Sequence, residues 1–129
     1  MIRVLVLEDG QWTRGGLATL LSREEDIAIV GNADIETSIG PLAAHLVPDV
    51  VVMNTDYMVS QILPLVSELK AVQPGCAVLL LCDPTKRGML PPRRRSRRLN
   101  FIVKDTSVPV LAAAIRKIAR GEPVIDPRL

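Results

Sequence analysis

Apolar residues fall along the chain in two alternating rhythms, runs of strand length and stretches that repeat at three or four positions. The run 2–7, Ile-Arg-Val-Leu-Val-Leu, stops at Glu8, Asp9 and Gly10 and predicts a first strand with two adjacent carboxylates at its end. Leu17, Leu20 and Leu21 then recur at helical spacing, which predicts a helix over about 11–22 with one buried face. A second strand is expected over 27–30. The next helix, over about 35–46, contains Gly40 and Pro41, and the proline should bend or restart it. The run 48–54, Pro-Asp-Val-Val-Val-Met-Asn, is apolar on both alternations, the pattern of a parallel strand buried on both faces. It delivers one polar side chain, Asn54, to its C-terminal end. A helix over about 60–72, a turn at Pro74 and Gly75 and a strand over 77–82 follow.

The last third repeats this rhythm with an interruption. Residues 83–100 are rich in proline and arginine before a short strand at 101–103, with Lys104 at its end. Pro91 and Pro92 cannot both lie inside a helix, and 93–98 offer no apolar face, so no regular helix is expected over 84–99. Leu111, Ala114, Ile115 and Ile118 share one face of a final helix, with Thr106 or Ser107 able to cap its start and Gly121 to stop it. Residues 122–129 contain Pro123 and Pro127 and read as the beginning of a linker. The element order predicts an α/β fold with a parallel sheet.

Composition narrows the class. A chain of 129 residues fits one domain, and 48% hydrophobic content with 2% aromatic residues predicts an aliphatic core. The net charge of +2 excludes a polycation, yet Lys86, Arg87, Arg93, Arg94, Arg95, Arg97 and Arg98 cluster in one loop. Without interleaved aromatic residues this cluster reads as a solvated basic loop ahead of a nucleic-acid contact. Cys76 and Cys82 have no neighbouring histidine, and the lone His45 stands elsewhere, so neither a zinc pattern nor a disulfide framework is indicated. No signal-peptide organisation and no membrane-spanning run is evident, and a cytoplasmic location is expected.

Right-handed crossovers would gather Glu8 and Asp9, Asn54, Cys82 and Lys104 at one edge of the sheet. The runs Val-Leu-Val-Leu-Glu-Asp, Pro-Asp-Val-Val-Val-Met-Asn, Leu-Leu-Leu-Cys and Phe-Ile-Val-Lys-Asp together resemble the receiver domain of bacterial response regulators, over essentially the whole chain. Thr13-Arg14-Gly15-Gly16-Leu17 and the ending Ala-Arg-Gly-Glu-Pro-Val-Ile-Asp resemble the NarL/LuxR-type subgroup. The resemblance implies a flavodoxin-like (CheY-like), doubly wound five-stranded parallel sheet of order 2-1-3-4-5, with the fourth helix irregular here. It implies a receiver-like domain over 1–121 and, from 122–129, a linker to a C-terminal helix-turn-helix domain.

In that family the acidic pair and an aspartate where Asn54 stands hold magnesium, and that aspartate becomes an acyl phosphate. Asn54 breaks the pattern, since a neutral amide is neither nucleophile nor anionic ligand. Cys82 replaces the phosphoryl-binding threonine or serine, Met58 replaces a proline, and Phe101 matches the switch aromatic. The expectation is therefore a phosphorylation-independent, non-enzymatic receiver in which Glu8 and Asp9 either cap the next helix and pair with Lys104 or bind magnesium weakly. Asp56 belongs to the loop rather than replacing the phosphoacceptor. Cys82 reads as a buried small residue, and Trp12 and Tyr57 either as packing or as the wall of a small-effector pocket. Expected partners are a second copy, held weakly through the first and last helices, a small effector, and DNA only through the C-terminal domain. A stand-alone interaction module is the alternative.

Overall fold

The structure, a computed structural model, describes residues 1–8, 16–54, 59–83, 85, 99–104 and 106–126, with the side chains of Val59 and Ser60 excepted. The elements are β1 (Ile2–Glu8), α1 (Gly16–Leu21), β2 (Ile27–Asp34), α2 (Ile39–Leu46), β3 (Val50–Asn54), α3 (Val59–Val72), β4 (Ala77–Cys82), β5 (Leu99–Val103) and α4 (Val108–Ala119). All the strand pairings are parallel, in the order β2-β1-β3-β4-β5.

Strand periodicity divides the core into two layers. Val4, Val6, Val50, Val52, Leu79, Leu81 and Ile102 meet Leu21 of α1 and Leu111, Ile115 and Ile118 of α4 on one face. Leu5, Leu7, Val51, Met53, Leu80 and Phe101 meet Ile39 and Ala43 of α2 and Ile62, Val66 and Leu69 of α3 on the other. Alternate residues of each strand thus serve opposite layers, which is why Val50, Val51, Val52 and Met53 are all fully buried. Arg116 adds a polar tie outside the core. Its guanidinium grips both carboxylate oxygens of Asp26 at 2.7 and 2.8 Å, joining α4 to the turn before β2 and holding the Asp26 carboxyl below its ordinary range.

Two elements differ from the hydrophobic pattern. The strand expected over 27–30 continues to Asp34, because Val30 bulges between the Val4–Ile29 and Leu5–Gly31 pairs and resets the alternation. The helix expected from 35 starts at Ile39 instead, since Ile35 donates its N–H to the Glu8 carbonyl and Thr37 to the Asp34 carbonyl in a turn. Pro41 consequently sits in the first turn of α2, where its missing N–H is no loss. Ser38 gives α2 no side-chain cap; Glu68 of α3 supplies one by accepting the Gly40 N–H at 3.1 Å. At the other end Val47 takes the left-handed conformation, φ 50°, and Arg3 donates to the Leu46 and Val47 carbonyls. α3 also carries Pro64 on its exposed side, a residue the sequence reading passed over.

Beyond α4 the chain turns at Gly121, φ 83°, a backbone angle that favours glycine. Residues 122–126, where a linker is expected to begin, return along β5. Phe101 donates its N–H to the Val124 carbonyl at 3.0 Å and accepts from the Asp126 N–H at 2.9 Å, a parallel bridge on the outer edge of the sheet.

Candidate functional site

The C-terminal edge of the sheet gathers the polar strand ends. Glu8 pairs in register with Asp34 on one side and Asn54 on the other, so β1 places its terminal carboxylate between an acid and an amide. Glu8 is fully buried, and Asn54 is partly exposed at the edge. Farther along, Cys82 pairs with Val103, and the Lys104 N–H donates to the Cys82 carbonyl at 2.9 Å. The structure therefore brings Glu8, Asn54, Cys82 and Lys104 to one edge. Asp9 lies outside the described residues, as do Trp12, Asp56, Tyr57, Met58 and the basic residues Lys86, Arg87, Arg93, Arg94, Arg95, Arg97 and Arg98. So does nearly all of 84–99.

Each described side chain has a definite chemical character. Asn54 carries no ionisable group and cannot form an acyl phosphate. Burial pushes the Cys82 thiol up to about 11, with Lys104 pulling the other way. At neutral pH it is a protonated thiol in contact with the Leu80 carbonyl at 3.8 Å, and the residue is partly buried where the sequence suggested a fully buried one. Phe101 is buried at 3% exposure in the layer under α2 and α3. Of the residues expected to meet magnesium, the structure describes the Glu8 carboxylate, with the neutral amide of Asn54 beside it in register. No group of three or more His, Cys, Asp or Glu among the described residues could hold a metal ion. The weak magnesium binding expected of Glu8 and Asp9 turns on Asp9, which lies outside the described residues.

Two further acids at this edge escaped the sequence reading. Asp34 accepts from the Glu36 N–H at 2.9 Å, and Asp83 accepts from the N–H and hydroxyl of Thr85 at 2.9 and 2.8 Å. Both cap turns after strands, and Asx-turn spacing is the signal that could have found them. Among the described residues, open clefts also lie away from this edge. One of about 640 Å³ is bounded by Lys70, Gly75, Asn100 and Glu122 at the starts of β4 and β5. Another, of about 470 Å³, lies between α4 and 123–126 and is bounded by Val110, Ala113, Lys117 and Ile125. Among the described residues, no helix is long and apolar enough to cross a membrane.

No protein-family model matches the chain. It is 30% identical over 131 aligned positions to the uncharacterized transcriptional regulatory protein YvfU of Bacillus subtilis, covering all of this chain and 64% of that protein. It is 27% identical to the transcriptional regulatory protein DesR of the same organism, with 100% of this chain and 64% of the relative covered. The chain thus spans a little under two thirds of the length of the curated relatives it matches. Among solved structures, a LuxR family DNA-binding response regulator from Silicibacter pomeroyi superposes with a TM-score of 0.70 at 24% identity, covering 99% of this chain and 98% of that one. The response regulator domain of Thermotoga maritima CheB gives a TM-score of 0.68 at 22% identity, covering 95% and 99%.

Proposed function

We propose that the chain, similar to transcriptional regulatory proteins and to a LuxR family response regulator, is a degenerate receiver domain of the LuxR/NarL type working without phosphorylation, as the regulatory part of a cytoplasmic, DNA-binding transcriptional regulator. The observation that carries this reading is the amide of Asn54 at the end of the central strand, in register with Glu8, where the family has its phosphoaccepting aspartate. Replacing that carboxylate removes the nucleophile and one negative charge together. The thiol of Cys82, where the family binds the phosphoryl group through a hydroxyl, weakens the site further, because a thiol is a poor hydrogen-bond donor.

Control then passes to association. The domain pairs weakly with a second copy through α1 and α4, and a small effector binding to one arrangement shifts the balance. The receiver unit occupies 1–121, and DNA contact belongs to a region beyond the part shared with this chain, in keeping with the greater length of the relatives. The test is incubation with magnesium and acetyl phosphate followed by intact-mass analysis. The expected result is an unmodified mass and unchanged spectra with a beryllofluoride mimic. A phosphorylated species, whichever residue carries it, sinks the reading.

A further inference from the structure

We propose that Asn100 and Asp126 make residues 124–126 a releasable latch on β5, coupling the Lys104 edge of the pocket to the path by which the chain leaves the domain. β5 is the outermost of the five named strands on its side. Its outward backbone groups need partners, and 124–126 supply them. Phe101 donates to the Val124 carbonyl and accepts from the Asp126 N–H, while the Val103 N–H donates to the Asp126 carboxylate at 3.1 Å. Asn100 ties the other end. Its amide donates to the Val78 carbonyl of β4 at 3.0 Å and accepts from the Val124 N–H at 2.8 Å.

Asn100 and Asp126 are buried, at 8% and 6% exposure, and each gives a side-chain oxygen to this contact. Apolar burial holds the segment through Val124, which packs partly buried against the α1 and α4 layer, while Ile125 is 39% exposed. Polar bonds carry much of the remaining docking, each with a small net worth, and on release their groups regain water. The segment can open without unfolding the sheet. The pocket edge lies on the same strand, because the Val103 N–H is bonded to Asp126 while the backbone N–H of the next residue, Lys104, is bonded to the Cys82 carbonyl. A change at either end shifts the equilibrium at the other, and linkage makes the coupling reciprocal. The inference does not depend on whether Asn54 is inert.

Amide exchange by NMR on the whole chain tests it. Asp126→Ala removes the acceptor for Val103, and Val124→Pro removes the donor to Asn100 without touching the sheet. In both variants exchange at Phe101 and Val103 should accelerate by about threefold to tenfold, the effect of one lost hydrogen bond. Val51 and Leu79 should exchange as in the unaltered chain, and the Lys104 amide resonance should move. The proposal fails if all strands accelerate together or if the Lys104 amide does not respond.

Discussion

At the scale of single residues, Asn54 shows how one atom type decides the chemistry of a pocket. Reversing it does not restore that chemistry. Asn54→Asp sets a second carboxyl group beside fully buried Glu8, and like groups in one site oppose ionisation. The variant should melt below the unaltered protein and still gain little phosphate from acetyl phosphate, with Cys82 and Met58 unchanged. Thermal denaturation and intact-mass analysis check the two parts. The cysteines predict a second effect. Burial pushes Cys76 up to about 12, against the pull of Lys70, and Cys82 up to about 11, from an ordinary thiol value of 9.0. Above that value the unfolded chain loses thiol protons that the native state retains, so stability should be fully present below pH 9.0 and fall as pH climbs toward the native values. Urea midpoints across that range should decline, and Cys76→Ala should flatten the decline even if it lowers stability throughout.

At the scale of elements, α2 is held at both ends by residues remote in sequence. Glu68 caps its start, and Arg3, anchored on β1, satisfies its last carbonyls. Val47 closes the helix in a conformation that costs a β-branched residue about 1–2 kcal/mol. Val47→Gly should therefore stabilise the domain by about 0.5–1 kcal/mol after the added freedom of the unfolded chain is subtracted. A higher urea midpoint at constant slope is the expected readout. These tertiary ties explain what the sequence concealed. The five apolar runs were legible because both faces of β1, β3 and β4 are buried and need no partner to be recognised. The second half of β2 was not, since Gly31, Asn32 and Asp34 lack a strand signature and their pairing depends on the Val30 bulge. The start of α2 was hidden for a similar reason: its cap comes from α3, twenty-eight residues away.

At the scale of the whole molecule, the candidate site was legible as an edge and only partly as a surface. Strand ends named Glu8, Asn54, Cys82 and Lys104 in advance, because parallel topology sends every C-terminus to the same side. Residues 124–126 were read as linker since Pro123 and Pro127 flank them, whereas their docking depends on side chains at 100 and 126 that no local pattern marks. The dimer expectation is refined as well. Ala112 and Ala114 face the core at 0% and 5% exposure, leaving Ala113 with Val110 and Lys117 on the outer face of α4. If α4 forms the interface, Ala113→Glu should convert a concentration-dependent dimer to monomer in sedimentation velocity. An unchanged profile of a dimeric sample would place the contact elsewhere.

The returning segment also has a meaning in time. Val103 and the carboxylate it bonds are 23 residues apart, so during synthesis the outer strand is made before its cover exists. At about 5–20 residues per second, translation leaves that edge bare for about one to a few seconds. In that interval the outward backbone groups of Phe101 and Val103 lack the partners that 124–126 later supply.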